Sequence, residues 1–309
     1  MLNQNIMQFL PYVLDRLTES DPGYGAEVRA FVDSMDSLYQ ASAEAFFARY
    51  ASFARLTGRS IDLGVTCFLE LRRSMEEERL HFFRTGEYSS KSFAEVNARV
   101  YSDPVTMQYH MHGLVLAQFL WPDQYRRFSF FRDGLPSYRN RIGRYLEVGS
   151  GHGLYLLEAM RLLDPATCFD AVDISPSSME LVEGMVGHAT RHDTLRFRLM
   201  DIFDLPESEP YDFITMGEVL EHVEQPRSLL RRLHHLLSPA GRAFITTPAN
   251  APTRDHIYLF NNAAEIREMF TSAGFAIESE VAYYPPGMSS EKAERLRLPL
   301  MFGAFLKRA

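Results

Sequence analysis

The sequence predicts an α/β protein with an all-helical N-terminal domain, and two patterns of apolar residues support this fold class. Up to about Arg144, apolar residues recur at the three- and four-residue spacing of amphipathic helices. Beyond Arg144, short apolar runs alternate with helical segments, as expected for parallel strands joined by helices. Glycine, proline and serine cluster at Pro136–Gly143. We therefore predict domains over 1–140 and 141–309.

Individual elements follow from periodicity and from capping residues. In the first domain we predict amphipathic helix over Ala26–Leu56, helices over Asp62–Phe83 and Met107–Phe119, and a capping box at Ser92–Glu95. The predicted strands are Arg144–Val148, Cys168–Asp173, Leu195–Met200, Asp212–Met216, Arg242–Thr247, Ala276–Val281 and Pro299–Leu306. The helices predicted between them are Leu154–Leu163, Ser177–Val186, Arg227–Leu237 and Asn262–Ala273.

Composition restricts the partners of the chain. Its 309 residues carry a net charge of −8 without a run dense in lysine or arginine, so we predict no nucleic-acid partner. The cysteines, Cys67 and Cys168, lie far apart outside any disulfide or zinc pattern. The sequence shows neither a secretory signal pattern nor a long apolar run, so we predict a cytoplasmic protein with no membrane partner. The oligomeric state stays open, and a homodimer is one option.

A glycine-rich turn follows the first predicted strand in Y-L-E-V-G-S-G-H-G, residues Tyr145–Gly153. Glycines let the backbone pass close beneath a ligand, and the helix that begins at Leu154 offers unpaired N–H groups. The spacing G-x-G-x-G differs from the G-x-G-x-x-G of dinucleotide sites. Glu147 would repel a pyrophosphate and attract a cation. Taken alone, the turn also suits a purely structural role.

The segment E-V-G-S-G-H-G resembles the first motif of class I S-adenosylmethionine-dependent methyltransferases. Three further segments follow in that family's order: F-D-A-V-D-I-S up to Ser175, L-M-D-I-F around Asp201, and G-E-V-L-E-H-V from Gly217. The resemblance covers Arg144 to the end and is closest to the group that contains ubiquinone and menaquinone biosynthesis methyltransferases. It implies a Rossmann-like seven-stranded sheet in the order 3-2-1-4-5-7-6 with the last strand antiparallel.

The resemblance also implies a cofactor, S-adenosylmethionine, with S-adenosylhomocysteine as product. The glycine loop would hold its methionine part, Asp173 its ribose hydroxyls and Asp201 its adenine amino group. Taken singly, both aspartates also suit strand-end caps. The implied cofactor-binding residues are Glu147, Gly149, Ser150, Gly151, Gly153, Asp173, Ile174, Asp201, Ile202, Gly217 and Glu218.

His222 is the predicted proton acceptor, in a catalytic set with Glu218 and Glu221. It follows the fourth strand at the carboxyl edge of the sheet, where open α/β folds bind ligands, and a neutral imidazole can accept a proton from a hydroxyl or amine. A packing histidine is the alternative. The set also resembles the E-x-x-E-H pattern that binds a divalent metal in some relatives. We predict no metal; the alternative is magnesium held by these three residues and His256.

We predict direct SN2 methyl transfer to a small, partly apolar metabolite in biosynthetic tailoring, to oxygen, nitrogen or carbon. The helical half, which matches no family that we recognise, is expected to be the substrate-binding lid. The candidate substrate contacts are Tyr109, His110, His112 and Tyr283, although an aromatic stripe at helical spacing also suits a core. The alternatives are a protein or RNA methyltransferase, and an inactive S-adenosylmethionine-binding sensor or partner subunit.

Overall fold

The computed structural model describes residues 8–187, 194–207 and 209–309. These residues form two compact units. The first extends to Arg72 and adds Gln108–Tyr125, whereas the second consists of Arg73–Met107 and Arg126–Ala309. This division is one of packing, and the functional boundary near residue 140 remains a prediction.

The described part of the N-terminal half is helical, as predicted. The expected amphipathic stretch Ala26–Leu56 is broken at Asp36, whose side chain accepts a hydrogen bond from Tyr39 N at 2.8 Å and begins a new helix. The α-helices are α1 Phe9–Ser20, α2 Pro22–Asp33, α3 Ser37–Leu56, α4 Ile61–Thr85, α5 Phe93–Val96, α6 Pro104–Leu120, α7 Pro122–Gly134, α8 Leu154–Leu162, α9 Pro176–Val182, α10 Pro226–Leu236, α11 Ala263–Ser272 and α12 Ser290–Arg295. Among the described helices, none has both the length and the apolar character needed to cross a bilayer.

The first unit has an aromatic core of its own. Tyr39, Phe47, Tyr50 and Phe119 are all fully buried. The Tyr39 hydroxyl donates to the backbone oxygen of Phe119, which satisfies a polar group that would otherwise be costly to bury.

The second unit contains a seven-stranded sheet in the order β3-β2-β1-β4-β5-β7-β6. β7 is antiparallel to both β5 and β6, and the pairs from β3 to β5 are parallel. This confirms the predicted fold class and strand order. The strands are β1 Arg144–Val148, β2 Cys168–Asp173, β3 Leu195–Leu199, β4 Tyr211–Gly217, β5 Leu237–Ala249, β6 Phe275–Tyr283 and β7 Leu300–Arg308.

Apolar layers cover both faces of this sheet. On one face, buried side chains of α10 and α11, such as Leu230 and Ile266, pack against Leu146 and Ile214 of the strands. The other face packs against residues of α7, α8 and α9. The parallel strands β1, β2 and β4 end at one edge, and the loops that follow them carry the predicted site residues.

Candidate active site

The glycine loop after β1 has a backbone conformation that residues with a side chain rarely adopt. Gly149, Gly151 and Gly153 have φ angles of 71°, 50° and 75°. A Cβ at Gly149 would lie 2.5 Å from Val219 Cγ2, and one at Gly153 would lie 2.9 Å from Val182 Cγ2. A Cβ at Gly151 would meet nothing within 4 Å. Gly149 and Gly153 are therefore required by packing, whereas Gly151 borders open space.

Two polar side chains lie at this loop, one within it and one at the end of the neighbouring strand β2. The Ser150 hydroxyl is buried and has no hydrogen-bond partner among the residues that the structure describes. Asp173, at the end of β2, accepts a hydrogen bond from Ser175 N at 2.8 Å. Burial raises the pKa of Asp173, and hydrogen bonds from Ser175, Gly151, Ser178 and Ser150 oppose that rise. An unpartnered buried hydroxyl beside a buried carboxylate fits a polar ligand.

Beyond Asp173, apolar side chains are exposed at the same edge. Ile174 is 49% exposed and Phe203 is 51% exposed, in loops that follow the neighbouring strands β2 and β3. Asp201 is exposed and accepts a hydrogen bond from Phe203 N at 2.9 Å. Ile202, one of the cofactor-binding residues implied by the resemblance, lies in the core, whereas Phe203 is an exposed apolar side chain near Asp201.

Glu147 lies in β1 just before the glycine loop and is buried. Its Oε2 accepts a hydrogen bond from the Tyr145 hydroxyl at 3.0 Å. Burial raises the pKa of Glu147 to about 8, against the effect of hydrogen bonds from Tyr145 and from the backbone of Leu156. The side chain is therefore mostly protonated at neutral pH, and a cation bound beside it would favour loss of that proton.

This raised pKa predicts a pH dependence of stability. Glutamate ordinarily has a pKa of 4.5, so the folded state holds a proton up to about pH 8 that the unfolded state releases. The contribution of Glu147 to stability is expected to fall as pH rises through that window, by on the order of a few kcal/mol. Thermal unfolding of the wild type and Glu147→Gln between pH 5 and 9 measures this, and the stability of the wild type relative to the variant should decline across that range.

Subtracting the stability of the variant from that of the wild type at each pH removes the contributions of other titrating groups. Burial lowers the pKa values of His112 and His152 to about 4, so both histidines destabilise the fold at acidic pH in either protein. If the stability of the two proteins changed in parallel from pH 5 to 9, Glu147 would not carry the expected proton.

Glu218 follows β4 in a strained conformation, with a φ of 54°. Its carboxylate accepts a hydrogen bond from Thr246 Oγ1 at 2.8 Å and pairs with Arg127 Nη1 at 2.6 Å. Arg127 is 1% exposed and belongs to α7. Tyr283, at the end of β6, donates to the backbone oxygen of the adjacent Arg126 at 3.4 Å. Sequence reasoning missed Arg127, because nothing in the Arg126-Arg127 pair shows which side chain is buried.

Glu221 and His256 are buried and form a cluster with the partly exposed His222, and the ligand atoms of the three lie within 4.8 Å of one another. Glu221 Oε2 accepts a hydrogen bond from Thr247 Oγ1 at 2.9 Å, while Oε1 has no hydrogen-bond partner within the described residues. The Nε2 atoms of His222 and His256 lie 3.8 and 3.9 Å from Oε1. Burial, and next the charge of Glu218, raise the pKa of Glu221 well above its ordinary value.

Backbone carbonyl groups fix the tautomers of both histidines. His222 Nδ1 lies 3.0 Å from the Asp255 carbonyl oxygen, and His256 Nδ1 lies 2.6 Å from that of Ala251. A carbonyl can only accept, so in the neutral form of each imidazole Nδ1 carries the proton and Nε2 has the lone pair. The Asp255 carboxylate lies 3.4 Å from His222 Nδ1 as well. Such an arrangement suits a proton acceptor or a pair of metal ligands.

A segment of the N-terminal half, residues 88–101, borders this cluster within the second unit. The Tyr88 hydroxyl accepts from Ala251 N at 3.2 Å, and Ser90 Oγ donates to Arg254 O at 2.7 Å. Tyr101 ends a short π-helix, and its hydroxyl lies 3.4 Å from His222 Nδ1. Sequence reasoning missed these residues, since a π-helix has no distinctive sequence signal.

The predicted substrate contacts on α6 belong to the first unit. His112 is buried there, with Nδ1 2.9 Å from the Tyr50 hydroxyl and its ring stacked on Phe53 at 6.3 Å. This placement fits the core alternative for His112. Contact of Tyr109 and His110 with a substrate remains a prediction.

Comparison with known proteins agrees with the fold and the motifs. A family model described as "Methyltransferase domain" matches residues 121–280, just over half of the chain. The chain therefore belongs to this family, and its motifs and sheet order place it among the class I S-adenosylmethionine-dependent methyltransferases.

The curated relatives are similar over a limited region. The ubiquinone biosynthesis O-methyltransferase of Xanthomonas campestris pv. campestris (strain B100) is 35% identical over 112 residues, which span 35% of this chain and 44% of that protein. The mitochondrial ubiquinone biosynthesis O-methyltransferase of Schizosaccharomyces pombe is 36% identical over 108 residues, 34% of this chain and 37% of that protein. The matches thus span less than half the length of these relatives.

A solved structure shares the fold over a larger part of the chain. The mitomycin 7-O-methyltransferase MmcR superposes with a TM-score of 0.52 at 13% identity, covering 76% of this chain and 68% of that chain. At this identity, the likeness shows the fold alone.

Proposed function

We propose that this protein transfers the methyl group of S-adenosylmethionine to an oxygen atom of a small hydroxylated aromatic molecule. The observation behind this proposal is the placement of His222, whose Nδ1 lies 3.0 Å from the Asp255 carbonyl oxygen and whose Nε2 lies beside Glu221 and His256, at the same sheet edge as the glycine loop. The similarity to two ubiquinone biosynthesis O-methyltransferases supports oxygen as the acceptor atom.

The carboxyl edge fits the cofactor that the family uses. Gly151 borders open space, and the buried Ser150 hydroxyl has no hydrogen-bond partner in the described ranges of the chain, so both can face the methionine part. Asp173 would bind the ribose hydroxyls, and Asp201 with the exposed Phe203 would bind adenine. When bound, S-adenosylmethionine supplies a methyl group made electrophilic by its sulfonium.

In this proposal His222 removes the proton of the acceptor. As the O–CH₃ bond forms and the S–CH₃ bond breaks, the hydroxyl proton moves to Nε2 of His222. The Asp255 carbonyl holds Nδ1–H in place, and the Asp255 carboxylate stabilises the positive imidazolium that results. Tyr101 lies, like Asp255, beside Nδ1 of the His222 ring, and would help to exclude water from the imidazole.

A divalent metal is a second use of the same cluster, favoured by Glu221 Oε1, which has no hydrogen-bond partner among the described residues, and by the two Nε2 atoms that lie 3.8 and 3.9 Å from it. Glu218, part of the ligand set considered from sequence, is instead paired with Arg127. Two imidazoles and one carboxylate suit a transition-type ion better than magnesium. A metal would acidify an acceptor hydroxyl, and it would occupy the nitrogen that otherwise takes the proton.

The proposed acceptor class is tested with a panel of small molecules. Purified protein is incubated with S-adenosylmethionine and ortho-dihydroxy aromatics, aromatic amines or aromatics activated at carbon. Formation of S-adenosylhomocysteine and of methylated product is followed by mass spectrometry. We expect O-methylated products from the dihydroxy aromatics. Products methylated only at nitrogen or carbon would overturn the proposal.

Metal removal distinguishes the two roles of His222. If His222 is the proton acceptor, transfer is expected to continue after exhaustive chelation, and elemental analysis of the purified protein should find no stoichiometric metal. A loss of transfer that zinc or iron(II) restores would show instead that the cluster holds a metal. Melting temperature, measured with and without each ion, gives a readout that does not depend on activity.

A further inference from the structure

A pocket of about 190 Å³ lies near the amino ends of β1 and β4, at the other end of these strands from the glycine loop. Three arginines, Arg144, Arg196 and Arg198, line it together with Glu209 and Tyr211. We refer to these five residues as the arginine pocket. All of them belong to the second unit.

The arginines converge on one buried carboxylate, that of Asp170. Arg198 Nε lies 2.9 Å and Arg196 Nε 3.3 Å from Asp170 Oδ1, and Arg144 Nη2 lies 3.4 Å from Oδ2. The Tyr211 hydroxyl donates to Oδ2 at 3.0 Å. One fully buried acid thus receives a phenol and three guanidinium groups.

Among the residues that the structure describes, charge in this pocket is not balanced. The carboxylates that pair with these arginines there are Asp170 and Glu209, and Glu209 lies 2.7 Å from Arg144. Three positive groups therefore meet two negative ones, and their N–H donors outnumber the carboxylate oxygens available. This local excess of positive charge occurs in a chain whose net charge is −8.

The sheet positions these side chains. In the parallel pairing of β2 with β3, Asp170 is aligned with Arg196 and Val172 with Arg198, so both arginines lie on the face that carries Asp170. Their side chains remain 51% and 32% exposed, and that of Arg144 is 21% exposed. The guanidinium groups are anchored at one side and accessible at the other.

Guanidinium groups match the geometry of phosphate oxygens, and charge-assisted hydrogen bonds of this kind are strong. Drug-sized ligands occupy pockets of roughly 300 Å³ or more. A volume of about 190 Å³ suits a single tetrahedral oxyanion rather than a whole nucleoside. We propose that the arginine pocket binds phosphate, either free or as the head of a small phosphate monoester.

This site is separate from the proposed cofactor site. Asp170 precedes Asp173 on β2 by a distance of about 10 Å along the strand. Phosphate binding in the arginine pocket therefore does not depend on methyl transfer. Binding of S-adenosylhomocysteine can be measured in the same variants as an independent control.

The test is calorimetric titration of the full chain with inorganic phosphate and with methyl phosphate, at an ionic strength matched with potassium chloride. Arg196→Gln is expected to weaken phosphate binding about tenfold or more. Arg161→Gln, a change at an exposed arginine paired with Glu158, should leave it unchanged. Binding of both ligands would indicate room for a monoester, and binding of inorganic phosphate alone would indicate the free ion.

For Asp170→Asn we expect the opposite change in phosphate affinity. Without the internal carboxylate, the three arginines should bind phosphate about tenfold more tightly, even though the free protein loses stability. If the arginines serve only to neutralise Asp170, the variant will bind phosphate no better than the wild type. That result, or equal affinities in Arg196→Gln and Arg161→Gln, would overturn the proposal.

Discussion

Gly151→Ala is expected to weaken the binding of S-adenosylmethionine and S-adenosylhomocysteine about a hundredfold while leaving the protein folded. A Cβ at this position would have no contact within 4 Å in the described structure beyond its two chain neighbours, so the added methyl group would project into the space proposed for the cofactor. The φ of 50° adds a backbone cost of about 1 kcal/mol. Isothermal titration gives the affinities and thermal unfolding gives the stability.

Gly287→Ala is the matched control for this variant. Gly287 also has a positive φ, of 74°, and its Cβ would likewise meet nothing within 4 Å. The two substitutions should therefore lower stability by similar amounts, but only Gly151→Ala should impair cofactor binding. Equal cofactor affinities in the two variants would show that the glycine loop does not cradle the ligand.

His222→Ala is expected to lower the rate of methyl transfer by about a hundredfold or more, whether the imidazole accepts a proton or binds a metal. S-adenosylhomocysteine should bind as it does to the wild type, because the glycine loop and Asp173 are unchanged. The rate is measured with the acceptor that the panel identifies, under saturating cofactor.

His235→Ala serves as its control, since His235 is an exposed histidine of α10. This variant should transfer methyl groups at the wild-type rate. If His222→Ala kept full activity, His222 would be a packing residue, which is the alternative weighed from the sequence.

Much of the second unit could be predicted because its strands are local apolar runs with clear ends. The bounds of β1 and β2 agree with the prediction residue for residue. β5 begins at Leu237 rather than at Arg242, because a bulge opposite Tyr211 and Phe213 allows Leu237 to pair with β4. The intervening S-P-A-G resembles a turn, so periodicity alone places the start of the strand too late.

The site was less predictable, because its side chains meet through long-range packing. The sequence predicts one set of Glu218, Glu221 and His222, yet Glu218 has a positive φ and pairs with Arg127. The segment Leu220–His222 is a short 3-10 turn, which does not keep α-helical spacing. Asp255 and Tyr101 reach His222 from distant parts of the chain, and no local pattern marks such contacts.

We propose that the carboxyl edge of the sheet binds S-adenosylmethionine through the glycine loop and Asp173. Calorimetric titration of ligand-free protein with S-adenosylmethionine and S-adenosylhomocysteine tests this binding most directly. We expect both to bind at a single site per chain, and Asp173→Ala to weaken both by about 2 kcal/mol or more. Failure of either molecule to bind the folded wild-type protein would contradict the claim.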